Sequence, residues 1–357
     1  MKQKHTNIHH GMFPTKPNQP NIRSGANHMT INQPTVKSGA SATVNNRNTT
    51  KNGILSRFTS PIKVQKINNC SLYHKYYEFV VDQQSGKSVL HVRHFSDLMQ
   101  AIGYVQYTAA RTGTNQRIYY RGQEFLYPTD LKAGLYRETN NPKQADQIML
   151  AKVTACQAQS KNLKKMHPII VEALFQQYGE QTQWLDLVDN VWVALWFACH
   201  HAWVTERCIH YERRNPRLEC SKSPYAYILL IGDEFSDGQN SIGIGPPKMY
   251  SGKQSELVDL RYAVPSTYIR PHAQHGLMIR KVPGVSEDRS LESLLKGVIR
   301  MDLADALDWL GHSIPLSPFG MVPPPMFDSG YGELLRLENE MKQNGVMPCP
   351  SFQIVTS

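Results

Sequence analysis

The chain has 357 residues, of which 40% are hydrophobic and 19% are charged, so it is long and apolar enough to bury a sizeable core. No apolar run is long enough to span a bilayer, and no apolar stretch follows the first positive charges, so we expect neither a membrane helix nor a secretory signal. The six cysteines do not make a disulfide scaffold in a chain of this length. They are better interpreted as reduced thiols, which predicts a cytoplasmic protein.

The net charge of +10 is concentrated at one end of the chain. Residues 1–60 contain five lysines, three arginines and no acidic residue, so eight of the ten net charges lie there. Residues 1–58 are rich in small and polar residues and lack hydrophobic periodicity, which predicts a disordered basic tail. Weak binding of polyanions by the tail is the expectation that this charge supports. The nearly neutral remainder gives little reason to predict a nucleic-acid-binding fold.

An N-terminal lead over residues 59–116 is predicted to contain a strand and a helix. Residues 73–81 alternate well enough for a strand, and the Gly-containing stretch 83–87 is typical of a turn. Ser96 is placed to cap a helix with apolar residues at helical spacing, which ends at residues 112–113.

The remaining folded part, residues 117–345, is predicted to form one domain. Residues 117–121 read as a buried strand, and Pro168 suits the first position of a helix. Residues 191–198 are apolar nearly all round, so this helix is expected at the centre of the core. Further strands are predicted at 225–231 and 277–279, helices at 291–296, 303–310 and 331–341, and a proline-rich loop at 315–325.

The first candidate site residue is Arg121, which follows a buried aromatic strand and precedes Gly122. A buried guanidinium requires an anionic partner, and its fork binds phosphate in two places at once. Glycine lets another group approach the backbone closely. Arg121 is therefore either a phosphate anchor or half of a structural ion pair with Glu124 or Asp186.

Two further segments carry candidate site residues. Asp186 lies between apolar residues and would cap the next helix, orient Arg121 or act on a substrate. The histidines of the stretch 272–276 would be catalytic or ligand-binding, although single histidines usually serve neither purpose.

A group of metal-capable side chains fits no standard zinc spacing, because it contains no paired Cys-x-x-Cys, so no metal is expected. Its members are Cys199, His200, His201, Cys208, His210 and Cys220. Phosphate-binding glycine loops, the dinucleotide fingerprint, the nucleophile elbow and the His-Glu-x-x-His motif are also missing from the sequence. This argues against kinases, ordinary dehydrogenases, common hydrolases and zincins.

Several motifs, taken in order, resemble the FRG domain family. Residues 120–123 read Tyr-Arg-Gly-Gln, residues 176–179 read Gln-Gln-Tyr-Gly, and residues 182–186 read Thr-Gln-Trp-Leu-Asp. Residues 194–198 read Ala-Leu-Trp-Phe-Ala, and residues 273–276 read Ala-Gln-His-Gly. The resemblance extends to Phe327-Asp328 and Leu334-Leu335 and spans about residues 95–342. The chain departs from the family pattern at Gln177, Gln183 and Val188, where the family has His, Arg and Thr.

The layout of these motifs looks like that of the Arg-Ser-Glu class of ADP-ribosyltransferases. This resemblance implies an α+β fold with a split central sheet flanked by helices, and NAD as co-substrate. It implies binding of NAD or a related nucleotide by Arg121, Gly122, Gln123, Tyr178, Gly179 and Thr182, and catalysis by Asp186, Gln274 and His275. An amide is neither a base nor a negative charge, so Asp186 or Glu256 would have to supply the missing carboxylate.

The resemblance therefore implies an NAD-dependent ADP-ribosyl transferase or NAD glycohydrolase, a glycosyltransferase of toxin or defence type. A non-catalytic module on the same fold, which binds a nucleotide or a protein, is the alternative. The acceptor of any transferred group is not indicated by the sequence.

Overall fold

The computed structural model of the chain describes residues 77–111, 116–128, 131–137, 139–219, 223–235, 249–282 and 289–356. The predicted disordered tail, the end of the first helix at 112–113 and Cys220 lie outside the described residues. The described residues belong to one unit of the chain, Thr50–Ser357. The boundaries predicted at residues 59 and 117 stay predictions.

A mixed sheet of nine strands forms the centre of the fold, in the order β1-β2-β11-β7-β3-β4-β10-β9-β8. Its neighbours are antiparallel except for the parallel pair of β2 and β11. A second sheet of three strands has the order β12-β6-β5. The strands are β1 Tyr77–Val81, β2 Ser88–Val92, β3 Gln116–Gln123, β4 Leu185–Val188, β5 His200–Thr205, β6 Cys208–Arg213, β7 Tyr225–Glu234, β8 Met249–Ser251, β9 Ser255–Asp259, β10 Gly276–Lys281, β11 Leu295–Asp302 and β12 Ile354–Val355.

Ten α-helices are found in the described residues. They are α1 Phe95–Arg111, α2 Pro142–Gln159, α3 Pro168–Gln177, α4 Val191–Ala198, α5 Pro216–Glu219, α6 Leu260–Ala263, α7 Ile269–Ala273, α8 Leu303–Leu310, α9 Pro318–Met321 and α10 Ser329–Gln343. Local sequence explains several starts: Pro168 opens α3, and the Asn190 side chain accepts a hydrogen bond from the Trp192 amide at 2.9 Å at the start of α4. The mixed α+β class is thereby confirmed.

Helices α1, α4 and α8 cover one face of the large sheet, and α4 is central, as predicted. The side chains of Ala194, Leu195 and Trp196 are fully buried in this cluster. A separate apolar cluster joins α2, α3 and α10, and a third lies on the opposite face of the sheet. The short, uniformly apolar α4 fits this position because protein surrounds it.

The predicted helix 291–296 is wrong. Only Glu292–Leu294 form a turn of 3-10 helix, and Leu295 begins β11. Val298 and Ile299 are β-branched, and they pair with Leu229 and Ile228 of β7 in the middle of the sheet. Pairing with a distant strand therefore overrides the local helical pattern.

The proline-rich stretch 315–325 is only partly a loop. Ile314–Leu316 form a turn of 3-10 helix, and Pro318–Met321 form α9. Ser317 caps α9 by accepting a hydrogen bond from the Gly320 amide at 3.1 Å. Proline fits here because it occupies the first turn, where its missing N–H is not needed.

Strands β3 and β4 meet at the middle of the large sheet through one register pair, Tyr120 with Val188. On its other side β3 pairs with β7 along its whole length, from Gln116 to Gln123. The part of β3 beyond Tyr120 therefore has a strand neighbour on one side only. This opening between β3 and β4 leads to the cavity described below.

Candidate functional site

A cavity of about 500 Å³ lies where β3 and β4 separate, and it also reaches the hairpin of β5 and β6 and the C-terminal strand β12. Six of the nine residues assigned to the site from sequence line it: Arg121, Gly122, Gln123, Gly179, Asp186 and Gln274. The lining does not include Tyr178, Thr182 or His275. Parts of the chain more than 150 residues apart thus meet at one polar cavity.

Arg121 is held by β4 and by its own strand. Its Nη1 donates a hydrogen bond to the Asp186 carbonyl oxygen at 2.9 Å and lies 3.8 Å from Asp186 Oδ2. With the Gln123 amide oriented to satisfy its neighbours, the amide oxygen accepts from Arg121 Nε at 3.1 Å. The ion pair with Asp186 that the sequence allowed is therefore present.

Asp186 points into the cavity and keeps 39% of its side-chain exposure there. Its Oδ2 accepts a hydrogen bond from Gln176 Nε2 at 2.9 Å. Because protein surrounds the cavity, burial raises the pKa of Asp186, and the charge of Arg121 opposes this rise. Asp186 does not cap α4, since Asn190 does so.

Gln274 has both ends of its amide engaged inside the protein. Its Nε2 donates to the Met321 carbonyl oxygen at 2.7 Å, and its Oε1 accepts from Gln177 Nε2. Its side chain ties α7 to α3 and α9, and it is only 6% exposed. These contacts give Gln274 a structural role at the cavity wall.

His275 lies in another cluster. Its backbone has a φ of +53°, and its Nδ1 lies 3.0 Å from Asp189 Oδ1 and 3.2 Å from Arg261 Nη1. Arg261 also pairs with Asp189 at 2.8 Å. The structure therefore does not bring His275 together with Arg121 and Asp186, although it is the neighbour of Gln274 in sequence.

Packing explains the two glycines of the predicted site. A Cβ on Gly122 would lie 1.7 Å from the Ala194 carbonyl oxygen, so helix α4 is the group that approaches this backbone closely. Gly179 has a φ of +93°, and a Cβ there would meet the Gln353 side chain at 2.7 Å. Both positions require glycine whether or not a ligand binds.

Tyr178 and Thr182 lie outside the cavity lining and make hydrogen bonds to other side chains of the protein. The Tyr178 hydroxyl donates to Asp328 Oδ2 at 2.6 Å. Thr182 Oγ1 donates to Gln176 Oε1 at 2.7 Å, and the Gln176 amide nitrogen in turn donates to Asp186. Thr182 thus positions Asp186 through Gln176, without lining the cavity.

Several residues that line the cavity were not predicted from the sequence, among them Arg137, Tyr211 and Arg270. Burial raises the pKa of Tyr211, and the charge of Arg270, which lines the same cavity, opposes this rise. Arg270 is only 3% exposed, and its guanidinium lies over the rings of Tyr178 and Tyr331 at 4.7 and 4.0 Å. In the sequence, Arg270 is marked only by its place four residues before Gln274. This signal is weak because an arginine on the protein surface can have the same spacing from a motif.

Two of the metal-capable side chains, His200 and His201, have other partners. Nδ1 of His200 lies 2.8 Å from the Trp196 carbonyl oxygen, and Nδ1 of His201 lies 2.7 Å from Glu124 Oε2. Burial raises the pKa of the Cys199 thiol to about 12. Over the part of the chain that the structure describes, no three His, Cys, Asp or Glu residues are grouped to hold a metal ion.

No helix within the described ranges combines the length and apolar character needed to cross a membrane.

The fold and site define a mixed α+β protein with a charged cavity at the centre of its large sheet. Residues 116–206 match the family model of the FRG domain, so an FRG domain is present in this chain. The match runs from β3 to β5 and includes Arg121 and Asp186, whereas the motifs at 273–276 and 327–335 lie outside it. Neither a curated protein nor a solved structure matches the chain.

Proposed function

We propose that the cavity binds NAD and that the chain is an ADP-ribosyl transferase or NAD glycohydrolase with an ADP-ribosyltransferase-like fold. One observation carries the proposal: Arg121, Asp186 and Gln274, which the resemblance requires to meet, line the same cavity. In this interpretation Arg121 contacts a phosphate of NAD, as its cationic fork allows.

Asp186 is the acid that this chemistry needs. When the bond between ribose C1′ and nicotinamide breaks, nicotinamide keeps the electron pair and positive charge develops on the ribose. The ionised Asp186 stabilises that charge and takes the proton from the acceptor hydroxyl or water that bonds to C1′. Glu256, the other carboxylate considered, is held by Arg280 at 2.6 Å and does not line the cavity.

The test follows labelled NAD in the wild-type chain and in Asp186→Asn. We expect the substitution to lower nicotinamide release about a hundredfold or more, because it removes the base and the negative charge together. Asp189→Asn is the matched control, since Asp189 lies three residues along the same segment and outside the cavity lining. Arg121→Ala is expected to weaken NAD binding. If NAD neither binds nor turns over in the wild-type chain, the proposal fails.

A non-catalytic nucleotide-binding module is the second candidate. Two observations favour this candidate. Asp186 is paired with Arg121, and residue 274 is an amide whose hydrogen bonds are made within the protein, so neither residue supplies an unpaired carboxylate. In that case ADP-ribose binds, nicotinamide is not released, and Asp186→Asn leaves the affinity for ADP-ribose unchanged within about twofold.

The remaining expectations belong to the same proposal. A toxin or defence role and a macromolecular acceptor are parts of the transferase proposal. A cytoplasmic location rests on the interpretation of the cysteines as reduced thiols and stays a prediction. Binding of polyanions by residues 1–58 is tested separately, by comparing the RNA and DNA affinity of the full chain with that of a chain that begins at residue 60. Equal affinities would show that residues 1–58 do not contribute to the binding of polyanions.

A further inference from the structure

The guanidinium of Arg270 has fewer hydrogen-bond and ion-pair partners than those of the other buried arginines in the described residues. Its Nη1 makes one long contact, 3.5 Å from the Gln177 carbonyl oxygen. The described residues offer its Nε and Nη2 no hydrogen-bond acceptor, and they place no carboxylate within ion-pair distance. The charge of Arg270 is thus held at the cavity wall by two tyrosine rings and one weak hydrogen bond.

Two other buried arginines show what a structural role looks like in this fold. Arg214 donates to the carbonyl oxygens of Ala198 and Ser223 at 2.8 and 2.6 Å. Arg280 also stacks on an aromatic ring, that of Trp184, but it pairs with Glu256 at 2.6 Å. A buried charge without such partners is costly for the folded state.

The carboxylates that line the cavity do not offset Arg270. Asp186 is paired with Arg121, Glu180 accepts from Lys152 Nζ at 2.7 Å, and Glu124 lies 2.7 Å from His201 Nδ1. Arg137 adds another cation to the same lining. The cavity therefore has a cationic side on which an anionic ligand group would find a fixed guanidinium plane.

We propose that Arg270 binds a phosphoryl group of the ligand that occupies this cavity. The inference rests on the proposed function in taking that ligand to be a nucleotide. Its planar guanidinium is oriented in advance by Tyr178 and Tyr331, so little side-chain entropy is lost on binding. Arg270 is then a second phosphate contact in addition to Arg121, since both residues line the same cavity and a diphosphate group offers two phosphates.

The test uses inorganic pyrophosphate as the probe, so that binding is measured without turnover. We expect Arg270→Met to raise the Kd for pyrophosphate about tenfold or more, because a charge-assisted hydrogen bond is lost. Arg270→Lys restores part of the affinity. Arg280→Met, which removes a paired and stacked buried arginine outside the cavity lining, leaves the Kd unchanged.

The melting temperatures of the variants distinguish a ligand-binding role of Arg270 from a structural role. A ligand-binding Arg270 predicts that the free Arg270→Met protein melts at the same temperature as wild type or higher, whereas Arg280→Met melts lower. A lower melting temperature of Arg270→Met, together with unchanged pyrophosphate affinity, overturns the proposal. If Arg270→Met does not fold, the test uses the wild-type chain and follows the nuclear magnetic resonance signal of the Arg270 side-chain nitrogen. This signal must shift when pyrophosphate is added.

Two comparisons keep this inference distinct from the NAD proposal. Citrate, a polycarboxylate without phosphorus, is expected to bind less tightly than pyrophosphate, and tighter binding of citrate would overturn the phosphoryl assignment. If pyrophosphate binding depends on Arg270 while NAD is not turned over, the inference stands and the NAD proposal fails. If NAD is turned over equally well by Arg270→Met, the inference fails and the NAD proposal stands.

Discussion

His200 stacks on the ring of Trp196 with ring centroids 4.2 Å apart, and it lines the cavity from the start of β5. It is only 6% exposed. Burial lowers its pKa from 6.5 to about 4, although the hydrogen bond to the Trp196 carbonyl oxygen acts in the opposite direction. His200 is therefore a neutral hydrogen-bond donor at neutral pH and contributes no positive charge to the cavity.

A pH dependence of stability follows from this lowered pKa. Between pH 6.5 and about pH 4 the unfolded chain binds a proton at His200 that the folded chain does not. The contribution of the neutral His200 to the free energy of unfolding is therefore complete above pH 6.5. It falls by up to about 3 kcal/mol as the pH drops from 6.5 to about 4. Urea unfolding at several pH values measures the fall.

The variant His200→Gln keeps a donor for the Trp196 carbonyl oxygen but does not titrate. It should unfold with a correspondingly smaller loss of stability between pH 6.5 and 4. The control is His210→Gln, at an exposed position of the same hairpin. This variant should lose as much unfolding free energy between pH 6.5 and 4 as the wild-type protein does. Identical pH curves for wild type and His200→Gln would show that His200 is not the titrating group.

At the scale of elements, the contact of β3 with α4 positions Arg121. Gly122 faces the α4 backbone, and Tyr120 and Ile118 lie in the same apolar cluster as Ala194 and Leu195. Successive residues of a strand point to opposite faces, so the helix that covers Gly122 leaves Arg121 on the other side of β3. The packing of α4 and the orientation of the site arginine thus depend on each other.

Gly122→Ala tests this coupling. A methyl group cannot be accommodated 1.7 Å from a backbone oxygen, so α4 or β3 must shift. We expect the substitution to lower the free energy of unfolding by about 3 kcal/mol. Gly103→Ala in α1 is the matched control, because its Cβ meets nothing within 4 Å, and it should add up to about 1 kcal/mol through helix propensity. Thermal unfolding gives both values, and equal effects would contradict the close packing.

In the molecule as a whole, the FRG match 116–206 lacks strands with which its own strands pair. It contains β3 and β4, but the strands that flank them, β7 and β10, lie beyond residue 206. Gln274, Arg270 and Gln353, which close the cavity, also come from the later half. The cavity therefore requires the chain well beyond the matched segment.

This arrangement predicts that an isolated 116–206 fragment does not fold. Without β7, the eight-residue register of β3 is lost, and its apolar faces are exposed to water. The fragment should show no cooperative thermal transition by circular dichroism, whereas a chain that begins at residue 60 should unfold cooperatively. A cooperative transition in the fragment would show that the matched segment folds alone.

Local patterns in the sequence predicted the starts of α3 and α4, the strands β3 and β7, and the central place of α4. The predicted cap of α1 was wrong, because α1 begins at Phe95 and Ser96 lies within its first turn. Hydrophobic spacing, capping and proline placement act within a few residues, so they are visible without a structure. The FRG motifs likewise indicated Arg121 and Asp186 as residues that meet.

Which of these side chains are free to act depends on the tertiary structure. The amide of Gln274 is used by Gln177, 97 residues away, and β11 forms because β7 pairs with it. His275 turns toward Asp189, while Arg270 turns into the cavity. Hydrogen-bond partners and burial depend on contacts between distant segments, and no local pattern of residues records them.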